Sequence, residues 1–306
     1  MEKLIYAFYV SPGRQETGAV ILACSIREFG GKLAQYPIWA LIPRGADCLS
    51  DTTREAFIVL NASLVPFDIQ QEALDFPFAA KVYAFAHAES LAEVQAGLLA
   101  CLDTDTIVLR EPGEFLLAQG KSLGYRPVHH KLIGSDYHEP IDEFWSLVYD
   151  HCGVHEDNVF PMITHVGNDK IRPYFNAGML VVRPEKKLLR LWRNNFGQYH
   201  RDPAYEAFYE RHVLYRVFIH QAILTGSILS ALPHPELQEL SDLINYPLHL
   251  NDEDTSDHRP TSINDLVTCR YETFFQDPDW GNKVPATGAL KTWILGQFPV
   301  REENCP

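Results

Sequence analysis

Leu98-Leu99-Ala100-Cys101-Leu102-Asp103-Thr104-Asp105-Thr106-Ile107-Val108-Leu109 sets two carboxylates, two residues apart, between two apolar runs. Charges in such a setting are costly unless they are paired or bound to a cation. The first run has the length and composition of a core strand, so Asp103 and Asp105 fall at a strand's C-terminal end. Upstream, residues 3 to 10 read as a buried strand, Thr17 to Phe29 as a helix stopped by Gly30-Gly31, and Ile38 to Ile42 as a second strand. Asp51-Thr52-Thr53 caps a helix reaching about Asn61, a strand follows at Ser63 to Phe67, and Ser90-Leu91-Ala92-Glu93 has the pattern of a capping box opening a short helix. Downstream, strands are expected at Gly120 to Val128, Phe175 to Val182 and Leu266 to Phe275. Helices are expected at Ile141 to Tyr149, burying Ile141, Phe144, Trp145 and Val148, and at Glu185 to Phe196. Pro247 to Asn264 is polar and acidic and reads as a loop or lid. Strands alternating with helices imply an α/β fold, a mostly parallel sheet with helices on both faces, whose ligand site lies beyond the strands' C-terminal ends.

The chain has 306 residues, 46% apolar and 22% charged, and a formal net charge of −14. That balance argues against a phosphate-backbone binder, since nucleic-acid affinity comes from Lys and Arg displacing counterions. No stretch reaches the roughly 20 apolar residues that span a bilayer, and the N-terminal run ends at Ser11-Pro12-Gly13 after strand length. A cytoplasmic protein is the expectation. Six cysteines (Cys24, Cys48, Cys101, Cys152, Cys269, Cys305) are scattered singly and read as reduced residues.

An Asp-x-Asp pair offers hard oxygen ligands suited to Mg²⁺ or Mn²⁺, which typically bridge substrate phosphates instead of being caged by protein alone. The same pair can simply cap backbone amides in a strand-end turn. It also resembles the nucleophile strand of haloacid-dehalogenase-type phosphatases, in which the first Asp attacks phosphorus. Here the pair lies a third of the way along the chain, Ile107 stands where that family has Thr or Val, and Gly167-Asn168-Asp169 is a distant match to its later acidic motif.

Several segments in order favour another family. Leu102-Asp103-Thr104-Asp105-Thr106-Ile107-Val108-Leu109 resembles the signature of glycosyltransferase family 8, the glycogenin and lipopolysaccharide galactosyltransferase group. Tyr174-Phe175-Asn176-Ala177-Gly178-Met179 is similar to its Phe-Asn-Ser/Ala-Gly segment, Gln221 sits where the family has Asp-Gln, and Gly288-Ala289-Leu290-Lys291-Thr292-Trp293 resembles its closing block. The resemblance runs from about residue 1 to 295. It implies a single GT-A-like domain over 1–306, with a nucleotide-binding half at 1–110 and an acceptor-binding half at 111–306. The activity implied is transfer of a sugar from a nucleotide diphosphate, a UDP-sugar first among them, to an acceptor hydroxyl with retention. A non-catalytic nucleotide-sugar-binding homologue is the alternative. On this resemblance Asp103 and Asp105 hold Mn²⁺ or Mg²⁺. Lys81, Asn176, Ala177, Gly178 and Gly288 contact the donor, Gln221 lies near the reacting face, and Lys291 stabilises the departing diphosphate.

Three departures stand out. Pro285 occupies the position read as the family's third metal ligand, a His, leaving His249 and His258 as candidate substitutes. His220 replaces the Asp before Gln221. The loop Ser11 to Thr17 lacks the Asp and Tyr that usually hold a uracil ring. His129-His130 and His151 to His155 read as surface or structural histidines, Trp145 and Trp192 as core, and Trp280 and Trp293 as acceptor contacts. The acidic cluster around Asp254 reads as solvated.

Overall fold

The computed structural model describes residues 3–44 and 49–298. In chain order the strands are β1 Leu4–Tyr9, β2 Ile38–Pro43, β3 Ala62–Phe67, β4 Leu98–Leu102, β5 Thr106–Val108, β6 Leu123–Pro127, β7 Met162–Ile163, β8 Lys170–Ile171, β9 Phe175–Val182, β10 Leu237–Glu239, β11 Tyr246–Pro247 and β12 Thr268–Arg270. The helices are α1 Arg14–Phe29, α2 Asp51–Val59, α3 Ala79–Ala92, α4 Glu143–Cys152, α5 Leu188–Tyr199, α6 Glu206–Arg211, α7 Val213–Ala231, α8 Trp280–Lys283 and α9 Gly288–Gln297. Seven strands form the main sheet in the order β10-β6-β9-β4-β1-β2-β3. All run the same way except β9, which is antiparallel to both β4 and β6. The α/β architecture expected from the alternation is therefore present.

Side-chain alternation along β1 sorts the core into two layers, because successive residues of a strand point to opposite faces. Ile5 and Ala7 join Val82, Phe85, Trp192 and Ile223, which come from α3, α5 and α7. Leu4, Tyr6 and Phe8 face the other way, onto Leu22 and Ile26 of α1 and Phe57 of α2. Burying each such side chain contributes roughly 1.5–3 kcal/mol. A third apolar cluster lies around a small sheet, β11-β12-β5, in which Ile107 and Cys269 meet Phe275, Trp280 and Ile294. Helix α7 is long and apolar enough to cross a membrane by length and composition, and most of it is buried inside the molecule.

Several expectations need correction. Ser90 to Glu93 closes a helix instead of opening one: α3 begins at Ala79, and its alanine-rich surface is buried nearly all round. Ile141 precedes α4 and is 38% exposed. The helix expected from Glu185 is interrupted by Lys187 at φ 58°, and α5 starts after it. Between Leu266 and Phe275 only Thr268–Arg270 is strand. In the acidic segment Asp252, Glu253 and Asp257 are exposed, as expected, but Asp254 is buried and accepts a hydrogen bond from the Tyr246 hydroxyl at 2.8 Å. Cys24, Cys101, Cys152 and Cys269 are free thiols, while Cys48 and Cys305 lie outside the described residues.

Candidate functional site

A cleft of about 1040 Å³ opens at the C-terminal ends of β1, β2 and β4. Its walls are the loop after β1 with the first turns of α1, the segment entering α3, the Asp103-Thr104-Asp105 turn, and the segment leaving β12. Gly18 of α1 is required here, because a Cβ on it would stand 2.7 Å from the Thr104 carbonyl oxygen. The N-terminus of α1 is closed by Glu16. Its carboxylate accepts from the Gly13 N–H at 2.8 Å and from the Ser50 N–H and hydroxyl at 3.0 and 2.8 Å. These bonds, the Gly13 one foremost, hold its pKa down to about 2.

Asp103 and Asp105 stand at the strand end, as their sequence context requires, and each meets a cation of this chain. Lys81 Nζ donates to both Asp103 oxygens, at 3.0 and 3.1 Å. Arg270 donates from Nε to both Asp105 oxygens at 3.2 and 3.1 Å, and from Nη2 to Oδ2 at 2.6 Å. The same Nη2 lies 3.8 Å from Asp103 Oδ2 and 3.4 Å from Glu272 Oε1. Burial works against the guanidinium's charge, but Asp105 and Asp103 more than offset it and push its pKa above the ordinary arginine value. Among the described lining residues, three cations (Arg44, Lys81, Arg270) face three carboxylates (Asp103, Asp105, Glu272). The cleft is locally neutral in a chain of net charge −14.

Beneath the pair, β9 brings the Phe-Asn-Ala-Gly segment against Asp103, whose N–H donates to the Gly178 carbonyl at 2.8 Å. A Cβ on Gly178 would lie 3.0 Å from Asp103 Oδ2 and 3.2 Å from Arg270 Nη1, so glycine is what lets strand, carboxylate and guanidinium approach. Asn176 is buried and its Oδ1 accepts from the Gly178 N–H at 2.8 Å. Gln221 is buried on α7, where its Oε1 accepts from the Ala177 N–H at 2.9 Å. At the cleft mouth Phe78, 46% exposed and held at φ 61°, stacks on His220 and lies under Lys81 Nζ, 4.9 Å from the ring centre. A left-handed aromatic residue is a strained feature of the kind that clusters at ligand sites.

The structure thus joins Lys81, Asp103 and Asp105 in one cleft, with Asn176, Ala177 and Gly178 behind them. Gly288 and Lys291 sit elsewhere. Lys291 and Pro285 line a separate cavity of about 190 Å³ with Trp280. Lys291 lies about 9 Å along the α9 axis from Gln297, the α9 residue that lines the main cleft. Trp280 is core and Trp293 packs edge-on against Phe29, so neither offers a face to the main cleft. Of the two readings given for His129, surface or structural, the structure agrees with the second: both its ring nitrogens are buried and have no partner among the described residues.

Arg270 was not among the residues singled out from the sequence. Its signal is a cation directly after the apolar Val267-Thr268-Cys269, the mirror of the carboxylates that follow Leu102. The Mg²⁺ or Mn²⁺ expected on Asp103 and Asp105 does not fit this donor set. All four carboxylate oxygens already accept from Lys81 or Arg270. A cation in metal–oxygen contact would stand against a guanidinium. His249 turns to Glu272 at 3.4 Å and His258 is exposed. Among the described residues no group of three His, Cys, Asp or Glu gathers to hold a metal ion.

Comparison with known proteins agrees with this architecture. Residues 6–223 match the family model described as the Rhodobacterales glycosyltransferase domain. Among solved structures, the galactosyltransferase LgtC in complex with donor and acceptor sugar analogues superposes with a TM-score of 0.52 at 14% identity, covering 98% of both chains. An active-site mutant of LgtC gives 0.51 at 13% identity over the same shares. The apo structure of the bifunctional glycosyltransferase WbbM gives 0.51 at 13% identity, with 97% of this chain covering 52% of that one. No curated protein matches in sequence. At these identities the likeness establishes the fold, which is GT-A.

Proposed function

The chain belongs to the Rhodobacterales glycosyltransferase domain family, and we propose that it moves a sugar from a nucleoside-diphosphate donor to an acceptor hydroxyl with retention of configuration. The observation that carries this reading is the quartet Lys81, Asp103, Asp105 and Arg270 at the strand ends of a cleft large enough for a nucleotide sugar. A diphosphate brings negative charge to a place where an acidic protein has arranged the buried Lys81 and the half-buried Arg270. Cations held by half-buried carboxylates are pre-oriented and need little reorganisation as charge develops on a leaving group.

In the transfer, the bond between the sugar's anomeric carbon and the β-phosphate oxygen breaks and its electron pair stays on that oxygen. The acceptor hydroxyl oxygen forms the new bond to the carbon, and its proton passes to the departing diphosphate. Lys81 and Arg270 stabilise the charge on that diphosphate. Phe78 and the loop Ser11 to Thr17 supply apolar and polar wall for the nucleoside, with UDP the first base to test. The carboxylate oxygens, all engaged by Lys81 and Arg270, do not fit a divalent ion in this step.

Incubation with a panel of UDP- and GDP-sugars, reading released nucleoside diphosphate, tests the activity. Release from at least one donor is expected, with a product whose anomeric proton coupling matches the donor's. The opposite coupling would overturn retention. Binding of a donor without any release would identify a non-catalytic nucleotide-sugar binder, a reading favoured by Gln221 and Lys291 lying off the cleft wall.

A further inference from the structure

We propose that the donor diphosphate is bound directly by Arg270 and Lys81, without a divalent metal, and that Asp103 and Asp105 serve to hold those two cations in place. The inference rests on the nucleoside-diphosphate reading above. It differs from what an Asp-x-Asp pair ordinarily implies.

Four observations carry it. The oxygens a metal would need are taken: both of Asp103 by Lys81, both of Asp105 by Arg270. Arg270 is also fixed at its backbone, since it pairs with Thr106 across β12 and β5, and the next residue, Tyr271, donates its N–H to the Asp105 carbonyl at 3.0 Å. It is therefore a strand residue whose side chain is 18% exposed, quite unlike a free surface arginine. Its fork is only partly used. Nε and Nη2 serve Asp105, whereas Nη1 makes no hydrogen bond to a described residue and lies where a Cβ on Gly178 would stand 3.2 Å away. Finally, Lys81 and Arg270 both line the cleft beside the carboxylates, within reach of an anion that enters it.

Guanidinium matches phosphate geometry in a way that a point charge does not, because its N–H groups lie in one plane and can engage two oxygens at once. Asp105 turns that plane and leaves one edge over. Lys81, compact and lying over the Phe78 ring, supplies the second charge. Together the two cations supply from the chain itself the two positive charges that balance Asp103 and Asp105, the part a divalent ion would otherwise play.

Calorimetric titration of the full chain with UDP, GDP, ADP and CDP, each in EDTA and again in millimolar MnCl₂, tests the idea on the unmodified protein. At least one nucleoside diphosphate is expected to bind with dissociation constants that agree within twofold in the two buffers. Arg270→Gln is expected to weaken that binding at least tenfold in EDTA, and Arg270→Lys, which keeps a charge and loses the fork, by an intermediate factor. Binding that appears only with Mn²⁺, or that strengthens more than tenfold with it, would overturn the proposal while leaving the transferase reading intact. If none of the four ligands binds in either buffer, the nucleoside-diphosphate reading itself fails and takes the proposal with it. Should Arg270→Gln not fold, the comparison of EDTA with Mn²⁺ on the natural chain and on Arg270→Lys still decides.

Discussion

Helix α3 carries two ion pairs at its two ends, and they are built differently. At its C-terminal end the fully buried Glu89 faces α5, accepting from the Leu189 and Arg190 N–H groups at 2.9 and 2.8 Å and from Arg190 Nε at 3.1 Å. Arg190 spends its other nitrogens on Glu93 and on the Pro184 carbonyl. Every donor there is used, and the carboxylate doubles as the cap that α5 lacks at Lys187. At the N-terminal end Lys81 meets Asp103, next to Arg270 and Asp105, and donors are left over beside a cleft. The closed set holds two helices together. The open set resembles it in chemistry but has been left incomplete on one side, which marks it as a place for a ligand.

The sharpest way to break this contrast is Glu89→Ala. Removing one partner of a buried pair typically costs about 3–5 kcal/mol, so denaturant unfolding should show a loss of that order while nucleotide affinity of the folded protein stays unchanged. An affinity change with little loss of stability would reverse the assignment.

Glu16 is the intermediate case, a buried carboxylate in the first turn of α1 whose bonds are all internal. Hydrogen bonds to a charged group contribute about 1.5–3 kcal/mol, and Glu16→Gln should lose an amount in that range near neutral pH. The group's pKa is lowered on folding, from 4.5 to about 2. Its stabilisation is therefore full above pH 4.5 and fades as pH falls toward 2. The difference between Glu16→Gln and the natural chain should close over that window; a constant offset would show that the charge is not responsible.

Lys81→Met should cost less stability than Glu89→Ala, since Asp103 is partly exposed and can be rehydrated from the cleft, and Arg270 stands nearby. It should weaken nucleoside-diphosphate binding about tenfold, which is about 1.4 kcal/mol. A stability loss as large as that of Glu89→Ala would mean that the cleft pair is structural too. The mildest test is Gly178→Ala. The methyl would stand 2.9 Å from Asn176 Oδ1, 3.0 Å from Asp103 Oδ2 and 3.2 Å from Arg270 Nη1, and a few-fold loss of affinity is expected in a titration with a nucleoside diphosphate.

The residues that were legible in the sequence are those whose environment is set by their neighbours in the chain. β1 to β4 are short apolar runs bounded by turn residues, and Asp103 and Asp105 announce a strand end because nothing else tolerates charge between Leu102 and Ile107. Helix α3 was misread because it is buried on nearly all sides, so no polar face marks its extent, and the capping pattern at Ser90 filled the gap. Arg270 was missed for a different reason. A three-residue strand has no periodicity to read, and its partner lies 165 residues away. The match of Gly288 to Lys291 with a closing block drew attention to α9, whereas the sheet placed the strand of Arg270 at the carboxylates instead.

That separation of 165 residues also has a consequence in time. A chain grows from its N-terminus at about 5–20 residues per second, so roughly 8 to 30 s pass between synthesis of Asp105 and of Arg270. During that interval β1, β2, β3 and β4 can assemble and Lys81 can meet Asp103, but Asp105 has no cation. The carboxylate pair of a nascent molecule therefore stays half-neutralised until Arg270, in about the last eighth of the chain, arrives.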